Sequence, residues 1–136
     1  MKKDIDKIVE PYQKNFIIDI GSNDGACLKG FKKKGMSVLG VDPAREVADI
    51  AIKNGIETIA DFFSLDIAKM ITKNYGKADL VTSHNACAHI DDLDQIINGV
   101  RELMRYDGVF IMEVGYFLDV FKNKWFDTIY HEHLDF

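Results

Sequence analysis

Five short apolar runs divide this chain, and each of the first four is followed by a segment of helical period. The runs are FIIDI (16–20), SVLGVD (37–42), IETIA (56–60), ADLVTSH (78–84) and VFIMEV (109–114). Strands separated by helix-length crossovers pair in parallel, whereas antiparallel neighbours need only a hairpin. The pattern predicts an α/β fold, a mostly parallel Rossmann-like sheet with helices on both faces.

The intervening segments carry their own start and stop signals. In ACLKGFKKK (26–34), Leu28 and Phe31 share a face and Gly35 caps the end. Lys32, Lys33 and Lys34 then complement the helix dipole rather than form a binding patch. PAREVADIAIKNG (43–55) starts with proline and ends with glycine. SLDIAKMITKNYG (64–76) sets Ile67 and Ile71 four apart. Over 92–105, Leu93, Ile96, Ile97, Val100, Leu103 and Met104 form the clearest amphipathic stripe, with His89 and Asp91 as its start signals. A DG turn at 107–108 leads into the fifth strand.

Ligands of open parallel sheets bind beyond the carboxyl ends of the strands. The unusual residues fall there: GSNDG after the first strand, Asp42 after the second, Asp61 after the third, and His84 with Asn85 after the fourth. Glu113, after four apolar residues, reads as a strand-end carboxylate facing the same site.

A chain of 136 residues, 47% hydrophobic and 29% charged, fits one soluble domain spanning 1–136. Its net charge of −5 argues against a nucleic-acid partner, which calls for a basic face. Cys27 and Cys87 lie far apart without metal-ligand spacing, so reduced thiols in a cytoplasm are expected. MKKDIDKIVEPYQKN is too charged for a signal peptide. Glu113, Gly115 and Asp119 interrupt the longest apolar stretch short of the ~20 residues of a membrane span.

The glycine-rich turn discriminates between nucleotide-like ligands. A dinucleotide fingerprint wants G-x-G-x-x-G/A; Gly21 and Ala26 fit its ends, but Asn23 takes the middle and would crowd a pyrophosphate. Asparagine still tolerates the left-handed backbone such turns use. A ligand without phosphates fits better. DIGSNDG (19–25) resembles the first motif of class I S-adenosylmethionine (SAM)-dependent methyltransferases. That resemblance implies SAM as cofactor, with Asp19 near its amino group and Gly21, Ser22, Asn23 and Gly25 passing their backbone against it. Asp42, with Pro43 beside it, suits the ribose hydroxyls. Asp61 suits the adenine amino group, with Phe62 against the ring, and Asn85 lines the site.

The second half sharpens the match. VTSHNACAHIDDL (81–93), GVFIMEVGYFLDVF (108–121) and FDTIYHEHL (126–134) resemble the sugar-nucleotide C-methyltransferases, which methylate C3 of a dTDP-linked 4-keto-6-deoxy sugar. The resemblance implies His133 as catalytic base, with Tyr130 and Glu132 beside it at the sugar. Carbon methylation needs a carbanion equivalent, so a proton α to the ketone must leave first. A neutral histidine accepts it near pH 7. Tyr130 would donate to the enolate oxygen; Glu132 would orient the imidazole or bind a sugar hydroxyl.

The chain departs from that family in three ways. The cysteine-rich N-terminal zinc module is not expected in it, nor is the C-terminal substrate domain, and two substitutions set Gly115 for a usual proline and His84 for a usual asparagine. Without further strands, strand five would present an apolar edge, implying a homodimer, a partner chain or a fragment. Three other readings stay open. The chain is a SAM-binding fragment without turnover, or an O- or N-methyltransferase, or the two imidazoles of HEH (131–133) bind a metal with His84, His89 or a carboxylate as third ligand. Trp125, near Phe121 and Phe126, reads as local packing.

Overall fold

Alternation along each strand decides which residues reach which face of the sheet. The computed structural model describes residues 15–84 and 92–113. It contains β1 (Phe16–Ile20), α1 (Ala26–Lys33), β2 (Ser37–Val41), α2 (Arg45–Lys53), β3 (Thr58–Ile59), α3 (Leu65–Tyr75), β4 (Ala78–His84), α4 (Leu93–Leu103) and β5 (Met104–Glu113). The five strands form one sheet in the order β3-β2-β1-β4-β5, with every pairing parallel. The chain starts in the middle, winds outward to β3, then returns to the other side of β1. The reversal between β1 and β4 is the topological switch point.

Two cores flank the sheet. Ile18 and Ile20 of β1 face one core with Leu39, Val41, Val81, Ala68 and Ile71 of α3, and Ile96, Val100 and Leu103 of α4. Ile17 faces the other with Leu28 and Phe31 of α1, Ala51 of α2, Ile56 and Leu80. Burying each such large side chain contributes about 1.5–3 kcal/mol. The expected parallel α/β sheet is therefore present, with helices on both faces.

Boundaries differ from the sequence pattern in places. β3 spans only two residues of IETIA, because Ile56 turns into the α1 core. The helix after Pro43 begins at Arg45, where Asp42 Oδ1 accepts from the Ala44 amide at 2.9 Å. The helix expected over 92–105 stops at Leu103. Its penultimate carbonyl, on Glu102, accepts from Lys77 Nζ at 2.8 Å and Thr72 Oγ1 at 3.3 Å, and Met104 already pairs with Ala78 of β4. The next pair is Leu80 with Val109, so Asp107 and Gly108 lie in a bulge of β5 rather than a helix–strand turn. Arg105 anchors that bulge to Asp79, Nη1 to Oδ1 at 3.0 Å. The buried stripe of α4 is Ile96, Gly99, Val100 and Leu103, while Leu93 and Ile97 are half-exposed. Gly99 is needed because a Cβ there would stand 2.8 Å from the Phe63 ring.

Candidate active site

The loop after β1 is built from left-handed residues. Gly21, Asn23 and Gly25 have φ of 73°, 54° and 80°, so Asn23 adopts the conformation its side chain tolerates. The amides of Gly21 and Ser22 donate to the Val41 carbonyl at 2.8 and 3.2 Å, drawing the loop across the end of β2. Gly25 then precedes α1, and a Cβ there would meet Ile56 at 3.0 Å. Ser22 is buried with its side chain against β2, where a Cβ on Gly40 would lie 2.4 Å from its Oγ. The Ser22 side chain is thus turned into the protein, away from the rim.

Asp42 clamps this loop. Its Oδ2 accepts from the Asn23 amide at 2.9 Å and its Oδ1 from the Ala44 amide at 2.9 Å. One buried carboxylate thus fixes both the first loop and the entry to α2, with Pro43 exposed between. Asp42→Ala is expected to cost about 2–4 kcal/mol of stability, because two amides lose a charged acceptor. Asp42→Asn should recover only part, since its amide nitrogen accepts from neither donor. A urea midpoint for the alanine variant equal to wild type would refute the clamp.

At the end of β1, Asp19 is 2% exposed and its Oδ1 accepts from Thr82 Oγ1 at 2.8 Å. Burial raises its pKa from 3.8 to about 6, with Asp42 adding to the rise while the Thr82 hydrogen bond and His84 oppose it. A buried acid poised near neutrality is stabilised as a carboxylate by any cation placed beside it. Farther along the same rim, Asp61 Oδ1 accepts from the Phe62 amide at 2.7 Å, and the Phe62 ring is 74% exposed. An exposed aromatic beside a carboxylate suits the face and edge of a nucleobase. The described rim thus runs from a buried acid, past a left-handed loop and its clamp, to a bare ring.

A family model described as a methyltransferase domain matches residues 1–136. The chain belongs to that family. It is 40% identical over 139 residues to the C-methyltransferase NovU of Streptomyces niveus, a match covering 100% of this chain and 33% of NovU. The chain thus spans a third of that curated relative. Among solved structures, the plantazolicin methyltransferase BpumL, in complex with a pentazolic desmethylPZN analog and SAH, has a TM-score of 0.71 at 14% identity, over 98% of this chain and 52% of BpumL. A SAM-dependent methyltransferase from Archaeoglobus fulgidus scores 0.66 at 16% identity, over 85% and 54% of the two chains. Identities this low establish the shared fold, which is that of SAM-dependent methyltransferases.

Asp19, Gly21, Ser22, Asn23, Gly25, Asp42, Pro43, Asp61 and Phe62 all lie at the carboxyl edge of β1, β2 and β3. Asn85, Tyr130, Glu132 and His133 lie outside the described residues, as do His89 and Cys87. The structure adds a group that strand-by-strand reading left unconnected. Cys27 of α1 brings its Sγ to 3.5 Å from His84 Nε2, and Glu113 Oε2 stands 3.7 Å from His84 Nδ1. Period-two alternation was the available signal. Asp19 follows Ile17, His84 follows Leu80 by four, and Glu113 follows Ile111, so all three share the α1 face. No helix among the described residues is long and apolar enough to cross a membrane.

Proposed function

We propose that this chain is the cofactor-binding part of a SAM-dependent C-methyltransferase whose acceptor is a nucleotide-linked 4-keto-6-deoxy sugar. The observation that carries this reading is the 40% identity to NovU, named a C-methyltransferase, across the whole of this chain. SAM supplies an electrophilic methyl group on a sulfonium. Asp19 suits the cofactor's ammonium: its buried carboxylate regains its charge when a cation sits beside it. Asp42 suits the ribose through the lone pairs its two amide donors leave, and exposed Phe62 suits the adenine face.

In this reading His133 removes the proton α to the sugar ketone. Tyr130 donates to the enolate oxygen, and Glu132 orients the imidazole or holds a hydroxyl. The enolate carbon then takes the methyl group. The thiol of Cys27 is in keeping with a cytoplasmic setting. A second copy of the chain or a further segment would cover β5, the outermost strand on its side of the described sheet.

The test is incubation with SAM and a dTDP-4-keto-6-deoxy sugar, with mass spectrometry of the sugar nucleotide. A product one methyl heavier, with the methyl on carbon by NMR, is expected. Cofactor binding without turnover would mark a SAM-binding module that does not carry the acceptor chemistry. Methylation of a ketone-free acceptor would overturn the carbon assignment in favour of O- or N-transfer.

A further inference from the structure

We propose that Asp19, Cys27 and His84 form a three-ligand site for a borderline divalent cation of the zinc type at the β1/β4 switch point. Their ligand atoms all lie within 4.8 Å of one another. Each comes from a different element of one face. Asp19 is the penultimate residue of β1, His84 ends β4, and Cys27 lies in the first turn of α1, which packs on that face through Leu28 and Phe31.

The donor set and spacing suit zinc. Zinc–sulfur and zinc–nitrogen bonds of about 2.3 and 2.0–2.1 Å at a tetrahedral angle put the two donors roughly 3.6 Å apart. Cys27 Sγ and His84 Nε2 stand 3.5 Å apart. Thr82 engages Oδ1 of Asp19, which leaves Oδ2 as the oxygen a metal would take.

The outer partners are also those of a metal centre. Glu113 faces His84 Nδ1 at ion-pair distance, which favours a proton on Nδ1 and a lone pair on Nε2 directed toward Cys27. Thr82 fixes Asp19 in the same manner. A thiolate and a carboxylate carry two negative charges in a half-buried site, which one divalent cation neutralises. Binding therefore releases the thiol proton. Three protein ligands leave a fourth tetrahedral position open.

The test is titration of the metal-stripped protein with Co²⁺ and Zn²⁺. One Co²⁺ per chain is expected, with a thiolate-to-cobalt charge-transfer band and the intense visible bands of tetrahedral cobalt. Cys27→Ser should abolish the charge-transfer band, and His84→Ala should weaken Co²⁺ binding at least tenfold. Cys87→Ser and the paired substitutions His131→Ala and His133→Ala should leave both unchanged. Circular dichroism of each variant separates lost ligation from lost fold, and His84→Gln serves where His84→Ala does not fold. A wild-type protein without the band, or a band that survives in Cys27→Ser, would overturn the site. Saturating S-adenosylhomocysteine should weaken Co²⁺ binding at least tenfold; this arm alone rests on the cofactor reading of Asp19. Equal cobalt affinity with the nucleoside present would strike that reading and leave the metal site standing.

Discussion

Asp19→Asn should make the free protein more stable and nearly unable to bind its cofactor. The folded carboxyl has a pKa of about 6 against 3.8 in the unfolded chain, because folding removes it from water. The sign follows from proton counts. Between those values the folded protein binds more protons than the unfolded chain, so Asp19's contribution is fully present below pH 3.8 and is lost as pH rises through about 6. At pH 8 the ionised, buried Asp19 costs on the order of 3 kcal/mol relative to a neutral group. Asparagine keeps an oxygen for the Thr82 hydroxyl and carries no charge. Its melting temperature at pH 8 in EDTA should exceed wild type by roughly 5–10 °C, and the difference should vanish near pH 4. Cofactor affinity should fall by roughly 10²–10³-fold, the loss typical when one partner of a buried charge pair is removed. In wild type the same affinity should weaken as pH drops below about 6, when Asp19 takes up its proton. Melting curves at the two pH values and calorimetry with SAM check all three. A destabilised Asp19→Asn at pH 8 would mean the carboxylate is a structural anchor.

The parts of the fold legible in the sequence were those governed by local periodicity. β1 and β4 match FIIDI and ADLVTSH residue for residue, because both are central strands whose apolar run ends where the sheet ends. The strand-end acids were legible for the same reason. Interactions distant in sequence were hidden. Nothing near Leu103 announces that Lys77 and Thr72 will cap the helix end, so the apolar stripe seemed to run on through Met104. The sequence reading of Ser22 concerned its backbone alone, and only the fold shows that the bare Gly40 of a neighbouring strand gives its side chain a buried seat. Asp42 appeared only as a ribose partner; its grip on Asn23, nineteen positions earlier, emerges once β1 and β2 lie side by side. The Cys27–His84–Glu113 contacts depend on the β1-β4-β5 order, which no local window contains. Sequence periodicity thus located the rim of the site, and topology decided which rim residues meet.

His133→Ala should reduce methyl transfer by about 10²–10⁴-fold, the usual contribution of a positioned general base. Calorimetric affinity for SAM should stay within about twofold, since Asp19 and Asp42, assigned to the cofactor, are held by Thr82, Asn23 and Ala44. That split between turnover and cofactor affinity separates a base from a residue that only supports the fold. Exchange gives a second readout. With the methyl donor left out, a wild-type enzyme that enolises its substrate should wash deuterium from solvent into the carbon α to the ketone, and His133→Ala should not. Tyr130→Phe should slow the same exchange by about 10²-fold, through loss of one donor to the enolate oxygen. Wild-type exchange persisting in His133→Ala would transfer the base to another group. His84 would be the first candidate, because its imidazole already stands at the carboxyl end of β4 between Cys27 and Glu113.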